Sequence, residues 1–597
     1  MTPTAPDMAG AWRRRAVAAV ALALVAATFL FHALRLDDYG RLQRDDYYGL
    51  LFRLGDGVDF HDTLASFWNA RINQHRVTIP AIVWRGNVAL ADGDNRPTAY
   101  LALAFLAGLV ALGRRFLGAL RPGDGWLALA ILAWAVAGPQ ATDNLAKSFG
   151  GVHYFLADLL SLGAAAALLL VDSPLRRRVA ILALGLLGIL TFSSSLAIWP
   201  ALALGVLWRR RTVMDAAVVA AGAVTSFAIF RHGLGPGGDL PTPTMLIHYV
   251  TAFLGGLPRL GVDASQALGA VGLLVLTVGV AGASAKALGR PRTPPVPVDV
   301  AFWLMAAAYA AGNAALAGLG RGHAGPEQAL AIRYVLFPGL FWAALAVLAL
   351  RPRLAPRPAL ARGVAVAALA VPALAGAAGV GLASSGTYTE AGRWQRIIEV
   401  QLRHGAWDAD LLRFAVTPNP PALVAPKRRA FFESIGHVPW DRPAEDLPDR
   451  TLDRNLELRG ADEIGELTRI VETAAPQLFR AGGWVAADAG VREVVFTDAR
   501  GRQRSRAFLW PHPRHPERLE WSSLVLWHPE WKTWTPFAVL ADGSFRRLSP
   551  KRYLASKWQE WAQSRRPSAP PSPPATPRTP AAPPSTGDSA DDAAPPD

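Results

Sequence analysis

Apolar runs recur along the chain from residue 16 to about residue 383, and they restrict the fold more than any other feature of the sequence. A helix needs roughly 20 mostly apolar residues to cross a bilayer, so these runs predict an all-α polytopic membrane domain with about 11 transmembrane helices. Two regions, around 126–140 and 179–208, contain runs shorter than that length. The predicted spans are 16–34, 97–113, 126–140, 151–171, 179–192, 195–208, 215–230, 265–285, 300–318, 334–350 and 363–383.

The composition supports this class and excludes several others. Only 18% of the 597 residues are charged, against roughly 25% in soluble globular proteins. The chain has no cysteine, which excludes disulfides, iron–sulfur clusters, thiolate metal sites and a cysteine nucleophile. The formal net charge is +15, but no nucleic-acid-binding motif accompanies it, so we expect no nucleic-acid partner. In an apolar chain such an excess usually lies in loops at one membrane face.

The basic residues are divided unequally between alternate loops. The N-terminal segment and every second loop after it hold 19 lysines and arginines, while the short loops on the opposite side hold 5. Loops rich in lysine and arginine stay in the cytoplasm. Residues 1–15 are therefore predicted to be cytoplasmic, and an odd number of spans places the C-terminal region outside the membrane.

The first outer loop, 35–96, contains an adjacent pair of carboxylates, Asp45 and Asp46. Two carboxylates at this distance can share a divalent metal such as Mg²⁺ or Mn²⁺, or raise one another's pKa. Either arrangement suits a general base. The alternative interpretation is a solvated loop start without a chemical role.

The same loop also contains Asn73, His75 and Arg76, which offer an amide, an imidazole and a guanidinium group just before an apolar turn. We predict that they bind substrate; the alternative is an interfacial helix whose basic side chains reach towards the headgroups. In a later outer loop, the planar guanidinium groups of Arg321 and Arg333 suit phosphate recognition. Their alternative role is contact with lipid headgroups.

Polar residues in the remaining outer segments complete the predicted substrate site. Ionisable groups at membrane depth cost free energy and suggest a functional site. Simpler roles are a satisfied buried histidine for His153 and a local ion pair between Glu327 and Arg333. The full predicted substrate-binding or phosphate-binding set is Asn73, His75, Arg76, Asp143, His153, Arg321, Glu327, Arg333 and Tyr334.

Three of these features together resemble the large bacterial GT-C-type membrane glycosyltransferases and their uncharacterised relatives. They are the acidic pair Asp45-Asp46, the stretch Asn73-Gln74-His75-Arg76, and the segment 325–334 with the pattern Gly-x-x-Gln-Ala-Leu-x-x-Arg-Tyr. The resemblance covers roughly residues 10–385. Relatives often have an acidic residue where this chain has Gln74, which counts against a catalytic role for position 74.

The resemblance implies a sugar transferase at the outer face of a bacterial cytoplasmic (inner) membrane. Its donor would be a sugar linked to polyprenyl phosphate, and its acceptor an envelope glycan, lipid or protein. Asp45 or Asp46 would be the base, and Arg333, Arg321 or Arg76 would stabilise the leaving phosphate. Two alternatives remain open: a transporter or flippase for a lipid-linked solute, and a non-catalytic envelope scaffold.

The chain changes character after about residue 384. Residues 384–480 alternate charged helical stretches with proline-rich connections, which predicts an extracytoplasmic helical and linker region. Residues 481–560 contain short strand patterns separated by turn signals such as Asp542-Gly543, which predict a small β-rich extracytoplasmic domain. Residues 561–597 are rich in proline and alanine and are predicted to be a disordered tail.

Overall fold

The computed structural model of the protein describes most of the helical region and most of a C-terminal β region. The described residues are 5–44, 63–72, 75–118, 120, 122–209, 211–234, 240–257, 260–289, 295–351, shorter stretches between 378 and 439, and 464–550 with gaps at 473–477, 498–502, 512–514 and 527–534. The predicted residues Asp45, Asp46 and Asn73 and the tail 561–597 lie outside this part.

Helices dominate the chain up to residue 350. The helices are α1 Ala5–Ala33, α2 Leu64–Trp68, α3 Thr78–Ala91, α4 Asn95–Arg114, α5 Pro122–Ala137, α6 Thr142–Ala146, α7 Ser148–Leu170, α8 Pro174–Thr191, α9 Ile198–Trp208, α10 Val213–Arg231, α11 Pro243–Gly255, α12 Val262–Leu288, α13 Val298–Arg321, α14 Leu336–Leu350 and α15 Pro426–Ser434. A short hairpin of β1 Arg71–Ile72 and β2 His75–Arg76 lies between α2 and α3.

Eight helical segments of the described chain are long and apolar enough to cross a membrane, which confirms a helical membrane protein. They are 15–39, 95–114, 124–146, 148–170, 213–231, 262–288, 298–324 and 332–350. The run 193–208 forms a shorter apolar helical segment, and α8 begins with three arginines at 176–178. Most of the predicted span 363–383 lies outside the described residues.

The long helices divide into a central group and a peripheral group. About three-quarters of the span window is buried in α5, α7 and α14, but only about one-fifth in α1, α10 and α12. Small residues allow the central helices to approach closely. A Cβ atom at Gly339 of α14, for example, would lie 2.0 Å from the carbonyl oxygen of Ala135 in α5. The peripheral helices expose large apolar side chains such as Phe227 and Leu274, which suits contact with lipid.

The helix bundle has two distinct ends. At one end, which we call the cavity end, His32 contacts the carbonyl oxygen of Ala137 at 2.9 Å. His32 lies close to the C-terminal end of α1. At the opposite end, Arg351 after α14 pairs with Asp299 at the start of α13 at 3.0 Å. Ser385 is back at the cavity end, where it accepts a hydrogen bond from Arg35 at 2.6 Å. The chain therefore changes ends between residues 351 and 385.

The described part of the first loop packs on the cavity end. Arg76 donates to the carbonyl oxygen of His232 at 3.0 Å, and Arg71 donates to that of Phe230 at 3.4 Å. These carbonyls lie at the C-terminal end of α10, where cations are stabilised by the helix dipole. The hairpin is thereby attached to a helix end about 155 residues further along the sequence.

Residues after 390 pack with the membrane domain rather than with the β region. Ile398, Leu412, Leu423 and Phe431 belong to the same buried cluster as the membrane helices. Gln395 donates to the carbonyl oxygen of Leu42 at 3.2 Å and accepts from its N–H at 2.9 Å. This part of the chain therefore extends the membrane domain at its cavity end.

The β region is one sheet that closes on itself. Its strands are β3 Gly465–Glu472, β4 Leu478–Ala486, β5 Val491–Thr497, β6 Gln503–Pro511, β7 Arg518–Leu526, β8 Thr535–Leu540, β9 Phe545–Arg547 and β10 Ser549–Pro550, and their order is β10-β3-β4-β7-β6-β5-β8-β9. Because β9 and β10 are adjacent in sequence, residues 545–550 join both edges of the sheet. Val485, Phe496 and Trp521 lie in its separate core.

One strand corrects the predicted domain boundaries. β3 lies within 384–480, which we predicted to be helical and linker, so the sheet begins before residue 481. The regular pairing of β3 with β4 is interrupted by a register shift between Leu467 and Arg469. A bulge of this kind disturbs the two-residue period on which strand prediction depends.

Candidate functional site

A cavity of about 360 Å³ opens at the cavity end of the helix bundle. Its size is typical of small-molecule sites. It contains five of the predicted site residues, which come from four separate segments of the chain. The lining residues are Arg44, Ile72, His75, Asp143, Asn144, Lys147, Phe149, Gly150, His153, Tyr154, Phe192, Arg321, Gln328 and Arg333.

Two arginines on one side of the cavity share a tyrosine. Arg321, in the last turn of α13, hydrogen-bonds the hydroxyl group of Tyr334. The guanidinium carbon of Arg333 lies 5.1 Å from the centre of the same tyrosine ring. Within the described residues, neither arginine forms an ion pair with a carboxylate. Both guanidinium groups therefore have hydrogen-bonding capacity left for an anion.

Asp143 is the one carboxylate among the described residues of the lining. Asp143 lies 3.4 Å from the ammonium group of Lys147 and accepts a hydrogen bond from the hydroxyl group of Tyr388. The guanidinium carbon of Arg44 lies 4.7 Å from the centre of the Tyr388 ring. Arginine and lysine side chains thus outnumber carboxylates in the described lining, which favours an anionic ligand.

His75 is a neutral side chain in this cationic setting. Burial lowers the pKa of His75 to about 3, and the positive charges of Arg321, Arg333 and Arg71 act in the same direction. Its Nδ1 atom is hydrogen-bonded to the hydroxyl group of Ser193. A neutral imidazole offers a ligand one donor or acceptor without adding positive charge.

Aromatic rings form a second wall of the cavity. The ring of His153 is stacked on that of Phe192, with the ring centres 4.6 Å apart. The centre of the His75 ring lies 4.2 Å from that of the same phenylalanine. Phe149 and Tyr154 complete this wall. His153 is 8% exposed, and its Nδ1 atom has no hydrogen-bond partner among the described residues. The cavity therefore combines a cationic side with an aromatic side.

Three predicted site residues do not line the cavity. The Arg76 side chain is 1% exposed and donates to the carbonyl oxygens of Trp68 and His232. Burial, and then the charge of Arg71, lower the pKa of Arg76 to about 10. Glu327 is absent from the lining, and no ion pair between Glu327 and Arg333 occurs in the described structure. Tyr334 does not line the cavity itself but contacts both arginines that do.

The predicted metal ligands directly follow a cavity residue in the sequence. Asp45 and Asp46 lie outside the described residues, although Arg44, the residue before them, lines the cavity. No group of three or more histidines and carboxylates suitable for a metal occurs in the described part of the chain. Asp143 is already paired with Lys147 and Tyr388. The described lining alone therefore does not form a divalent metal site.

A buried polar cluster that the sequence reading missed lies next to the cavity. Asp158 follows Tyr154 by one turn of α7 and is 0% exposed. It accepts a hydrogen bond from the hydroxyl group of Tyr309 in α13 at 2.5 Å. Asp158 is the one carboxylate in the apolar run 151–171. This isolated carboxylate is the sequence feature from which the cluster could have been predicted.

The cavity residues that sequence reasoning missed include Lys147, Phe149, Tyr154 and Phe192. Lys147 is the one lysine in the short outer loops, whereas the aromatic residues have no distinguishing pattern. Comparisons with protein-family models, characterised proteins and solved structures find no match to this chain.

Proposed function

We propose that the protein is a membrane glycosyltransferase, which moves a sugar from a polyprenyl-phosphate donor to an envelope acceptor at the outer face of the cytoplasmic membrane. The observation that carries this proposal is the pair Arg321 and Arg333, which face a cavity at the end of a helix bundle without a carboxylate partner in the described structure. A lipid phosphate has the charge and the position that such a pair would bind.

In the proposed topology the N-terminus is cytoplasmic and the cavity end is outside. Basic side chains cluster at the opposite end, for example Arg177 and Arg178 beside Asp215, as expected of the cytoplasmic face. With the predicted span 363–383 the chain returns to the outer face before Ser385. The β region after residue 464 is then extracytoplasmic.

The two arginines would bind the phosphate of the donor. A guanidinium group can form two parallel hydrogen bonds to phosphate oxygens, and such charge-assisted bonds are roughly twice as strong as neutral ones. When the bond between the anomeric carbon and the phosphate oxygen breaks, negative charge develops on that oxygen. Arg321 and Arg333 stabilise this charge.

The aromatic wall would hold the sugar. Aromatic rings such as those of Phe192 and His153 offer flat apolar faces against which a sugar ring can pack. The neutral His75, fixed by Ser193, could hydrogen-bond a sugar hydroxyl. Placing the sugar between this wall and the arginines would leave the anomeric carbon open to the acceptor.

The proposed base is Asp45 or Asp46. The base accepts the proton of the acceptor hydroxyl while its oxygen attacks the anomeric carbon, and the lipid phosphate leaves. General-base catalysis of this kind is worth roughly 10²–10⁴ in rate. A divalent metal, if the enzyme uses one, would be held by the same two carboxylates.

A transfer assay in lipid nanodiscs tests this function. We expect sugar transfer from a polyprenyl-phosphate-linked donor by the wild-type protein and its loss in Asp45→Asn or Asp46→Asn and in Arg333→Lys, which keeps the charge but loses the fork. Arg231→Gln, an exposed arginine at the same end of the bundle, is the matched control. Wild-type rates in Arg333→Lys and in both aspartate variants would contradict the proposal.

The second candidate is a transporter or flippase for a lipid-linked or anionic solute. Transporters place ionisable residues near the middle of the membrane, and the buried Asp158 favours this alternative. Movement of a labelled polyprenyl phosphate across a proteoliposome, without sugar transfer, would support transport. The absence of any ligand binding would instead favour a non-catalytic envelope scaffold.

A further inference from the structure

The buried cluster around Asp158 lies midway along the membrane helices, whereas the cavity opens at their end. Asp158 lies near the middle of the 23-residue helix α7, roughly 15 Å from either end at 1.5 Å per residue. Tyr309 occupies a similar position in α13, and both side chains are 0% exposed. A carboxyl group at this depth is costly and by default indicates a function.

The hydrogen bonds of Asp158 are incomplete. Its Oδ1 atom accepts from Tyr309, but its Oδ2 atom has no partner among the described residues. No cation forms an ion pair with Asp158 in that part of the chain. A buried charge without a partner is expensive, whereas a proton on the carboxyl group removes the charge. The site is therefore suited to hold a proton.

Serine side chains lie between this cluster and the cavity. The turn Ser193–Ala197 lies between them: Ser193 bonds His75 of the cavity lining, and Ser195 accepts from Ser161 at 3.0 Å. Ser161 and Asp158 lie on the same face of α7, three residues apart. Between the two serines, Ser194 is buried, and its hydroxyl group has no hydrogen-bond partner in the described structure.

Few other ionisable groups are near. Tyr309 faces Asp158 from α13, and His75, His153, Tyr154 and the two cavity arginines lie on the cavity side. The adjacent stretches 101–113 of α4, 179–191 of α8 and 198–208 of α9 contain no ionisable residue. In α6 and α3, which also pack on α7, the charged residues are Asp143 and Arg85. The ionisable groups of the cavity lining therefore favour proton exchange from the cavity side.

We propose that Asp158 and Tyr309 form a proton-binding site in the membrane core, which exchanges its proton with the cavity through the hydroxyl groups of Ser193, Ser194 and Ser195. A hydronium ion in the cavity gives up a proton and becomes water, and at the other end of the path a proton forms the O–H bond of the Asp158 carboxylic acid. Each hydroxyl on the path accepts one proton and releases another. The site gives the protein a means to bind a proton beside a bound anion, whether or not the cavity transfers a sugar.

Infrared difference spectroscopy of the full chain in lipid nanodiscs tests the site. We expect a carboxylic-acid C=O band at neutral pH that is lost in Asp158→Asn. In Tyr309→Phe the band should remain but shift, because it loses a hydrogen bond. This second variant decides the question if Asp158→Asn does not fold. No acid band in the wild-type protein, or a band unaffected by either folded variant, would overturn the proposal.

Deuterium exchange of the same band tests the path. Ser194→Ala should slow exchange by about tenfold, a rise of roughly 1.4 kcal/mol in the barrier, because a methyl group can neither accept nor release the proton. Ser226→Ala is the matched control, because Ser226 is also buried but accepts a hydrogen bond from Trp199 instead. Equal exchange rates in Ser194→Ala and the wild-type protein would show that the proton does not pass through this turn.

Discussion

The two ends of the helix bundle are both rich in arginine, but the arginines have different partners. At the end opposite the cavity, Arg177 and Arg178 both bind Asp215 at 2.9 Å, and Arg211 donates to the carbonyl oxygen of Leu168 at 2.9 Å. At the cavity end, Arg321 and Arg333 share Tyr334 and form no ion pair in the described structure. The arginines opposite the cavity stabilise the fold through these contacts, whereas the two cavity arginines remain able to bind a ligand.

Removing a cavity arginine should have the largest effect on function. We expect Arg333→Gln to lower the rate of sugar transfer by roughly 10²–10³, the usual cost of losing a group that stabilises transition-state charge. The melting temperature should change little, because the side chain has no carboxylate to leave behind. Transfer kinetics and thermal unfolding in nanodiscs measure both. If the variant lost stability but kept its transfer rate per folded molecule, Arg333 would be a fold-stabilising arginine like those at the opposite end, which would contradict the comparison.

Neutralising a carboxylate at the opposite end should lower stability without lowering the transfer rate. Asp215→Asn leaves two arginines, one of them almost fully buried, without their counter-charge, and breaking a buried pair costs about 3 kcal/mol. We expect a lower unfolding free energy but an unchanged transfer rate per folded molecule. Denaturation in detergent, followed by tryptophan fluorescence, gives the first quantity. A normal unfolding midpoint would show that this cluster does not stabilise the bundle.

The pH dependence of stability should reveal the half-buried neutral His75. Because its folded pKa of about 3 lies below the unfolded value of roughly 6.5, the unfolded state binds the proton more strongly. Stability is therefore complete above pH 6.5 and falls as the pH decreases towards 3. Between pH 7 and pH 5 the contribution of His75 is at most about 2 kcal/mol.

Replacing the histidine isolates this contribution. His75→Gln should weaken the loss of stability between pH 7 and pH 5, whereas His323→Gln, an exposed histidine near the same end, should not. Unfolding midpoints at the two pH values provide the comparison. Equal acid sensitivity in wild-type and His75→Gln proteins would mean that His75 is not held in its neutral form by the fold.

The smallest effect is expected from removing the β region. Its core around Trp521 is separate from the cluster that includes the membrane helices and Phe431. Insertion is determined by the spans and their basic flanks, so a chain truncated after residue 450 should reach the membrane fraction in normal amounts. Synthesis of the truncated chain without recovery in the membrane would contradict this.

The helical membrane domain could be predicted from the sequence because length and apolarity are local properties of each run. Five cavity residues, among them His75 and Arg333, were also predicted, since they are polar residues in loops that meet at one end. The contact between Arg76 and His232 could not be foreseen, because it depends on where a distant helix ends. The Tyr334 ring between two arginines likewise depends on tertiary packing rather than on sequence spacing.

Phosphate binding by the two cavity arginines is the central claim, and binding of farnesyl phosphate in lipid nanodiscs tests it most directly. We expect saturable binding by the wild-type protein and by Arg231→Gln. The double variant Arg321→Gln/Arg333→Gln should bind at least about 100-fold more weakly, since hydrogen bonds to charged groups contribute roughly 1.5–3 kcal/mol each. Farnesol, which lacks the phosphate, should bind the wild-type and the double variant equally. Equal affinity of all three proteins for farnesyl phosphate would contradict the claim.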